Sequence, residues 1–459
     1  MSNKKILIVI DNAFVERSLL FSDFFTHIKD LFQEVVLVVP DDKRNYFVGE
    51  YGSEKVTIDV MRKEKDGFFE KYFFLLLKYS IHSTANKVKL IRNIIKENGE
   101  IKVTAWFIYF CPIMLSWYLS KYSLWRKLLQ FVFIFIPNDK VCLAILENHK
   151  PDIIYARYSA IGVKNFNLKL FKAAKKLNIL TVGNIFSWDN LYSKIFITSH
   201  TDKLTVPNEI IRNDAINIGD FKKEKIKIIG IPHFDYYYDK ELLLSREGFM
   251  KSIGADPNKK LILYTAGVKE VISYKYFFRF FENISKDILP GTQFYLRPHP
   301  KRKFDERLIK EFKKCDNLIF EVKLDEEVGN NFKMSKKNNQ FLTNLLHHSS
   351  AMLCSYSTIL IEACIMDLPT ININYSGDRK QSYFYDIKKY AEWEHIIHLM
   401  KNKGIIMVES DEELVKALKK YLDNPSLDSE ERIKIVKQQA HFTEGKAAKE
   451  AAQFLYECS

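Results

Sequence analysis

Two stretches of the sequence decide the fold: LRPHP at Leu296–Pro300 and HHSSAMLCSYSTILIEACIMDLPTININY at His347–Tyr375. In the second, an apolar run gives way to hydroxyl residues and then to ILIEACIM, whose apolar residues recur at helical spacing. This order predicts a strand, a hydroxyl-rich turn and a helix. The unpaired N–H groups and partial positive charge at such a helix start favour an anion such as a phosphate. We also expect the hydroxyl residues to cap the helix; they are Ser355, Ser357 and Thr358.

Two neighbouring features also fit a nucleotide. Glu362 follows one turn into the predicted helix, where its carboxylate could accept hydrogen bonds from a ribose diol. The apolar strand at 294–296 delivers Arg297 and His299 to its carboxyl end, the edge where open α/β sheets bind ligands. A purely structural alternative is that the hydroxyl residues only cap a helix and Arg297 pairs with a surface acid.

Length and composition limit the class of protein. A chain of 459 residues is expected to form two to three domains, and its 47% hydrophobic content excludes a largely disordered chain. The six cysteines show no CxxC spacing, which fits a reducing compartment and predicts neither a disulfide framework nor a thiolate metal site. The apolar run KKILIVI is too short for a signal peptide, because Asp11 and Glu16 follow it.

The net charge of +13 is concentrated in one aromatic-rich segment. Between Gly67 and Lys140 there are eleven Lys and Arg against four Asp and Glu, an excess of seven. We expect a helical insertion, at about 67–147, that lies on or dips into an anionic membrane leaflet. Its interfacial tryptophans would be Trp106, Trp117 and Trp125.

The same segment could form a membrane span or an ordinary buried hairpin instead. Val103–Leu119 approaches the length of a membrane-spanning helix but is short and interrupted by Pro112. A buried helical hairpin with a solvated basic face is the plainer alternative. Nucleic-acid binding is not expected, because the basic residues accompany long aliphatic runs and no recognition motif occurs.

Strand and helix patterns alternate twice along the chain, which predicts an α/β protein with two tandem doubly wound parallel sheets. We place the first domain at 1–240, a linker at 241–259, the second domain at 260–430 and a C-terminal helix at 431–459. The second domain opens with a strand and loop from Leu261 to Gly267, and the polar stretch Lys323–Asn339 is expected to be a loop that orders with ligand.

Several motifs, taken in their order, resemble a known group. These are RPHP, the Ser-x-Ser-Thr-x-x-x-Glu-Ala pattern, the Asp-x-Pro after it, SWDNLYSK (Ser187–Lys194), GIPHFD (Gly230–Asp235) and GKAAKEAAQFL (Gly445–Leu455). Together they resemble bacterial GT-B transferases of the CDP-glycerol glycerophosphotransferase-like and capsule glycosyltransferase groups, and more distantly UDP-N-acetylglucosamine 2-epimerases. The HP and serine motifs are also similar to those that hold the CMP phosphate in bacterial sialyltransferases.

The resemblance implies a nucleotide-activated donor in a cleft between two Rossmann-like domains, held mainly by the second. Its phosphate would meet the hydroxyl-rich helix start, while Arg297 or His299 neutralises the leaving phosphate and Glu362 holds the ribose. No cofactor and no metal are expected, since no Asp-x-Asp pair is placed to bind one. The expected donor-binding residues are Gly267, Arg297, His299, Ser355, Ser357, Thr358 and Glu362.

The first domain would then bind the acceptor and supply a general base. The expected catalytic residues are Asp11, Glu16, Asp189 and His299, with His233 or Asp235 as weaker candidates. The expected acceptor-side loop contains Trp188, Asp189, Asn190 and Lys194. Plainer roles exist for several of these: Asp189 could fix its own loop, Asp11 could cap a helix, and His347 and His348 could complement a helix end.

The leading hypothesis is a glycosyltransferase that uses a CMP-, CDP- or UDP-linked sugar. Its acceptor would be a cell-surface polysaccharide, such as capsule or lipopolysaccharide, or a lipid-linked molecule at the cytoplasmic membrane face. One alternative on the same fold is a transferase of polyol phosphate from a CDP-glycerol-type donor. Others are a soluble nucleotide-sugar 2-epimerase, for which a membrane-seeking insertion has little use, and a non-catalytic scaffold.

Overall fold

The chain folds as two units. The computed structural model describes residues 3–62, 67–96, 99–109, 111–158, 165–193, 200–266, 289–299, 317–320, 336–377 and 382–459, with a few isolated residues between 276 and 315. The first unit comprises Met1–Lys96, Glu100–Asp235 and Gln438–Ser459, and the second comprises Glu97–Gly99 and Tyr236–Lys437.

The first unit is built on a seven-stranded parallel sheet with the order β3-β2-β1-β4-β5-β6-β7. Its strands are β1 (Lys5–Val9), β2 (Glu34–Pro40), β3 (Val56–Met61), β4 (Ile153–Arg157), β5 (Leu180–Asn184), β6 (Lys203–Val206) and β7 (Ile226–Ile228). Strands such as KILIV are almost continuously apolar because helices cover both faces of the sheet. Accordingly, Leu7 and Val9 lie in one core cluster and Ile6 and Ile8 in another.

The helices of the first unit include a group between β3 and β4, in the segment where the sequence predicts a helical insertion. The helices are α1 (Ala13–Leu19), α2 (Phe24–Leu31), α3 (Arg44–Tyr51), α4 (Phe68–Tyr79), α5 (Thr84–Ile94), α6 (Val103–Tyr109), α7 (Cys111–Leu119), α8 (Ser123–Ile134), α9 (Lys140–His149), α10 (Phe166–Lys176), α11 (Asn190–Ser193) and α12 (Glu209–Asn217). Within the described residues, no helix combines the length and apolarity that crossing a membrane requires.

The second unit repeats the design with a six-stranded parallel sheet of order β10-β9-β8-β11-β12-β13. Its strands are β8 (Lys260–Thr265), β9 (Thr292–Arg297), β10 (Leu318–Phe320), β11 (Ala351–Cys354), β12 (Thr370–Ile373) and β13 (Ile406–Val408). Its helices are α13 (Arg246–Ser252), α14 (Lys336–His348), α15 (Ile359–Ile365), α16 (Glu394–Met400), α17 (Asp411–Asp423) and α18 (Ser429–Gln439). The predicted fold class, α/β with two doubly wound parallel sheets, is therefore confirmed.

The stretch 241–259, expected to be a linker, contains helix α13. Ser245 caps this helix by accepting a hydrogen bond from Gly248 N–H at 3.2 Å. The Arg246 guanidinium donates to the carbonyls of Pro257, Lys259 and His348 at 2.7–3.1 Å, which fastens the stretch to the second unit. The charged residue Arg246 therefore forms hydrogen bonds within the second unit. The charged composition of the stretch, from which a linker was predicted, did not indicate these contacts.

The C-terminal segment, expected to be one helix at 431–459, forms α18 and a separate helix α19 (Ala447–Cys458). Helix α19 belongs to the first unit, where Ala448, Ala452 and Leu455 join the same core cluster as Ile6 and Ile8. Sequence pattern predicts a helix with an apolar stripe but does not tell which sheet receives it.

Most of the loop predicted at 323–339 lies outside the described residues. The end of that loop differs from the prediction, because α14 begins at Lys336.

Candidate functional site

The predicted donor residues lie at the point where the strand order of the second unit reverses, between β8 and β11. In the sheet register Thr265 of β8 stands opposite Arg297 of β9 on one side and Cys354 of β11 on the other. Since neighbouring strands are about 4.8 Å apart, Arg297 and Cys354 lie on strands separated by about 10 Å at one edge of the sheet. Such a reversal point is where open α/β sheets bind ligands. Gly267, also predicted here, lies outside the described residues.

Arg297 and His299 are half-buried at this edge. The guanidinium carbon of Arg297 lies 5.6 Å from the centre of the Phe341 ring on α14. A guanidinium over an aromatic face is held in place by the attraction between its charge and the ring. The contribution of Phe341 to this site was not predicted. Its sequence neighbourhood is helical and of mixed polarity, and such a pattern does not show which strand end the side chain of Phe341 will contact.

The turn after β11 is shaped by two buried asparagines. Tyr356 has a left-handed backbone, with φ of 44°. Its N–H donates to Oδ1 of Asn372 at 2.9 Å, and its hydroxyl donates to Oδ1 of Asn374 at 2.7 Å. Nδ2 of Asn374 in turn donates to Oε1 of Glu409 at 3.0 Å. The signal for this network was present, since two asparagines interrupt the apolar strand TININ at alternate positions.

The capping prediction for this turn is wrong at Thr358. Thr358 occupies the N-cap position of α15, but its side chain makes no capping hydrogen bond. Its φ of −57° and ψ of −27° are helical, whereas a side-chain cap requires an extended backbone. Ser355, Ser357 and Thr358 are half-buried.

Glu362, predicted to hold a ribose, is deeply placed. Its side chain is 4% exposed, and one carboxylate oxygen accepts a hydrogen bond from the hydroxyl of Tyr237, which is itself buried. This contact fastens α15 to the polypeptide that enters the second unit. The ribose contact stays a prediction.

A cavity of about 390 Å³ opens beside the ends of β12 and β13, at the same edge of the sheet. It is lined by Tyr276, Tyr375, Ser376, Gly377, Asp386, Lys388, Glu409, Ser410, Asp411 and Glu412. Tyr375 donates to Oδ1 of Asp411 at 2.7 Å, and burial raises the pKa of Tyr375. Four carboxylates against one ammonium favour a ligand rich in hydroxyl donors over an anion.

The corresponding reversal point of the first unit, between β1 and β4, holds Asp11. This carboxylate is 7% exposed and accepts hydrogen bonds from Arg157, at 2.7 Å from Nη2 and 3.2 Å from Nε. The helix cap considered for Asp11 is supplied by its neighbour Asn12, whose side chain accepts from the N–H groups of Phe14 and Val15.

Glu16, the second predicted base, is buried on α1. Its side chain is 3% exposed and accepts hydrogen bonds from the hydroxyls of Tyr46, at 2.7 Å, and Tyr51, at 3.1 Å. Burial raises the pKa of Glu16. A carboxylate enclosed by two phenols is a poor candidate for direct contact with a bulky acceptor.

In the loop at Ser187–Asn190, Asp189 is half-buried, and its neighbours Trp188 and Asn190 are buried. One oxygen of Asp189 accepts a hydrogen bond from Ser187 Oγ at 2.8 Å. Among Asp11, Glu16 and Asp189, this last carboxylate is the most accessible. Lys194, also predicted here, lies outside the described residues.

The weaker base candidates have structural partners. Asp235 accepts hydrogen bonds from the N–H groups of Ala447 and Ala448, at 3.2 and 2.8 Å, so it caps α19. Burial raises the pKa of Asp235 to about 6. Burial holds the pKa of His233 well below its usual range, and its Nδ1 lies 3.3 Å from Ser18 Oγ.

The paired histidines at the end of α14 also have a structural contact. Nε2 of His348 donates to the carbonyl of Leu244 at 2.9 Å, and the ring stacks on Phe249. In the part of the chain that the structure describes, no cluster of three or more His, Cys, Asp or Glu side chains is arranged to hold a metal ion.

Comparison with known proteins gives partial sequence relatives. The processive diacylglycerol beta-glucosyltransferase of Bacillus licheniformis is 25% identical over 146 residues, which are 31% of this chain and 34% of that protein. The chain thus spans about a third of the length of this curated relative.

Solved structures share the fold along the whole chain. UDP-GlcNAc 2-epimerase from Neisseria meningitidis bound to UDP-GlcNAc aligns over 99% of this chain and 100% of its own, with a TM-score of 0.56 and 12% identity. A glycosyltransferase from Rickettsia africae aligns over 100% of both chains, with a TM-score of 0.53 and 13% identity. At these identities the likeness concerns the fold, and it confirms the predicted GT-B architecture.

The family is established by sequence. Residues 190–457 match the model of the CDP-Glycerol:Poly(glycerophosphate) glycerophosphotransferase family. Since this match covers more than half of the chain, the protein belongs to that family, and its fold is of the GT-B type.

Proposed function

We propose that the protein transfers a sugar from a CMP-, CDP- or UDP-linked donor to a bacterial cell-surface polysaccharide or a lipid-linked acceptor. The observation that carries the proposal is the grouping of Arg297, His299 and the Ser355–Thr358 turn at the strand-order reversal of the second unit. The family match covers this region. Cationic and hydroxyl groups at one sheet edge suit the phosphates of a nucleotide.

The donor would be activated by stabilising its leaving phosphate. Arg297, steadied by the Phe341 ring, neutralises the negative charge that grows as the bond to the phosphate oxygen breaks. His299 follows two residues later, and the turn hydroxyls donate to the remaining phosphate oxygens. The acidic cavity beside β12 and β13 suits the hydroxyl groups of the transferred sugar. No divalent metal enters this scheme, and an unchanged rate in EDTA is expected.

The acceptor hydroxyl needs a base, and we assign this role to Asp189. Of the carboxylates considered in the first unit, Asp11 is paired with Arg157 and Glu16 is enclosed by two tyrosines. Asp189 is the more exposed group, and Ser187 orients it. In this reaction the acceptor oxygen bonds to the anomeric carbon, Asp189 takes the hydroxyl proton, and the nucleotide leaves with the bonding electron pair.

The acceptor would be met at the inner face of the cell membrane, with the protein bound peripherally. The basic, aromatic segment Gly67–Lys140 supports this location, because anionic headgroups attract lysine and arginine while aromatic side chains favour the interface.

Transfer of a polyol phosphate is the second candidate, and the family match favours it. There the acceptor oxygen would bond to phosphorus, the phosphoanhydride of a CDP-polyol would break, and CMP would leave. A CDP- or UDP-linked sugar would instead release the nucleoside diphosphate, which chromatography separates from CMP. A CMP-linked sugar would also release CMP, so for that donor the two reactions are separated by whether the acceptor gains phosphorus. Conversion of a free UDP-sugar into its 2-epimer without acceptor would instead support an epimerase.

Nucleotide binding tests the proposal most directly. The purified protein is screened by thermal shift against CMP, CDP, UDP, GDP and ADP. At 100 times its dissociation constant a nucleotide adds about 2.7 kcal/mol to the folded state, which raises the melting temperature measurably. We expect a selective rise with a cytidine or uridine nucleotide that is lost in His299→Ala.

The matched control is His398→Ala, which removes another half-buried histidine of the second unit, on α16 rather than at a strand end. The control should keep the nucleotide response of the parent protein. Absence of any nucleotide response in the parent, or a full response in His299→Ala, would overturn this donor site.

A further inference from the structure

Helix α8 carries apolar side chains on two opposite faces, and one of these faces is uncovered. The side chains of Leu129 and Phe133 are buried in the core of the first unit. On the other face Leu124, Leu128 and Phe131 are 80%, 47% and 57% exposed. Phe135, at the end of the helix, is 71% exposed. The successive spacings of four, three and four residues place these four side chains in one stripe, here called the α8 ridge.

The ridge is held rigidly from beneath at its start. Arg126 is 7% exposed and forms a bidentate ion pair with Asp220. Its Nε and Nη2 atoms each donate to one carboxylate oxygen of Asp220 at 2.7 Å. Its Nη1 also donates to the carbonyl of Ser120, at the preceding helix end, at 2.6 Å. A buried, bidentate contact of this kind fixes the helix without using its exposed face.

The other end of α8 is fastened as well. The ammonium of Lys172, on α10, donates to the carbonyls of Phe133 and Ile134 at 2.6 and 3.0 Å and also to that of Ile136. The final carbonyls of a helix otherwise have no partner within the helix. Both ends are therefore tied to other elements of the first unit, so the ridge is a preformed surface.

The segment that carries the ridge contains no acidic residue of its own. From Ile101 to Asn138 the sequence has no Asp or Glu and four basic residues: Lys102, Lys121, Arg126 and Lys127. Asp220 neutralises the buried Arg126, whereas Lys121 and Lys127 are exposed. Lys121 is exposed, and its ammonium lies 3.8 Å from the ring centre of Tyr118 and 4.8 Å from that of Tyr122. Amphipathic rings beside an ammonium are typical of side chains at the level of lipid headgroups.

We propose that the α8 ridge is a preformed anchor that inserts into a lipid bilayer with anionic headgroups, with helix α8 parallel to the membrane plane. A helix of twelve residues is about 18 Å long, too short for the roughly 30 Å of a bilayer core. The ridge therefore enters the interface from one side, while Lys121 and Lys127 meet the headgroups. This inference deepens the membrane location given above and rests on that part of the proposed function.

A second copy of the chain is the other occupant to consider, and charge argues against it. Two such surfaces would bring basic groups together without a single carboxylate from the Ile101–Asn138 segment to pair them. An anionic bilayer supplies negative headgroups for the basic residues and an apolar interior for the side chains of the ridge.

Co-sedimentation with vesicles tests the anchor. The vesicles contain phosphatidylcholine alone or with about a third phosphatidylglycerol, and the double variant Leu128→Glu/Phe131→Glu is compared with the parent chain. Both substituted side chains are exposed, so folding is retained. We expect the parent to partition to the anionic vesicles and the double variant to bind them at least tenfold more weakly.

The matched control is Ile397→Glu/Ile433→Glu, which makes the same exchange at side chains 54% and 47% exposed in the second unit. It should bind vesicles like the parent. Equal binding of the α8 variant and the parent, no binding by the parent, or equal loss in the control would each overturn the anchor. So would a parent dimer in solution that the α8 variant converts to monomer.

The nucleotide response separates this test from the proposed reaction. The α8 variant should keep the thermal shift with nucleotide, because its changes are confined to the exposed face of α8. If the parent binds vesicles through the ridge but no nucleotide stabilises it, the anchor stands and the proposed transferase site fails.

Discussion

Arg157 donates two hydrogen bonds to one carboxylate oxygen of Asp11, from Nη2 at 2.7 Å and from Nε at 3.2 Å, and so joins the ends of β4 and β1. Asp11→Asn should therefore act mainly on stability. The loss of a charged acceptor for a partly buried guanidinium is expected to lower the free energy of unfolding by about 1–3 kcal/mol. Urea unfolding measures this, and transfer rates should stay within tenfold of the parent. A larger loss of rate with unchanged stability would return Asp11 to the catalytic candidates.

Asp189→Asn should show the opposite pattern. The amide keeps the size and the contact with Ser187 Oγ but removes the basic oxygen. Since general-base catalysis contributes typically 10²–10⁴-fold, we expect the rate of transfer to fall by at least a hundredfold with no change in melting temperature. Initial rates with a fixed donor concentration test this. A fall in affinity for the acceptor alone would contradict the assignment to proton transfer.

The predictability of this fold comes from its buried strands. Runs such as KILIV and EVVLVVP are apolar on both faces, a pattern of parallel strands covered by helices, and the order of such runs predicts two doubly wound sheets. Because parallel strands end at one edge, Arg297 and the Ser355–Thr358 turn could be placed together without knowing any distance. This much follows from local pattern and topology.

The unpredicted features depend on contacts between distant parts of the chain. Arg157 meets Asp11 across 146 positions, and Asp235 caps a helix more than two hundred residues later. Thr358 has the right residue type for a cap, yet the turn set by Tyr356 and Asn372 leaves its backbone helical. The type of a residue does not by itself predict which distant part of the chain it will contact, or which backbone conformation that contact imposes.

Asp235 predicts a pH dependence of stability. Burial raises its pKa to about 6 from an ordinary value of 3.8, so the folded state holds the proton more tightly than the unfolded state. The contribution to stability is therefore present below pH 4 and is lost as pH rises through 6, by up to about 3 kcal/mol. The Asp235→Asn variant has no carboxyl group to protonate at this position, so its stability lacks this pH dependence. Relative to the variant, the parent chain should lose stability between pH 4 and 7 in urea unfolding; parallel curves would contradict the assignment.

Gly230 begins the GIPHFD motif at a place where a side chain does not fit. Its φ is 67°, and an added Cβ would lie 2.8 Å from the Phe442 ring and 3.0 Å from Cβ of Ala447. Gly230→Ala should lower the free energy of unfolding through both backbone strain and crowding. Gly254→Ala is the control, since Gly254 has a φ of 73° with nothing within 4 Å of the added Cβ. We expect about 1 kcal/mol for the control from strain alone and about 1–3 kcal/mol more at Gly230. Equal losses would exclude the contact with the C-terminal segment as the reason for this glycine.

The ion pair beneath helix α8 gives a prediction about the first unit. Arg126 and Asp220 have side chains only 9% and 19% exposed, so Arg126→Met leaves a poorly solvated carboxylate without its partner. Loss of one member of a buried pair typically costs about 3–5 kcal/mol, and urea unfolding should show a decrease in this range. The comparison is Lys96→Met, in a pair with Glu100 whose side chains are 51% and 60% exposed, for which we expect less than about 1 kcal/mol. The double variant Arg126→Met/Asp220→Asn should recover part of the stability, because the isolated charge is removed. If the double variant is as unstable as the sum of both single variants, the pair contributes no coupling and α8 is held by its apolar contacts and Lys172.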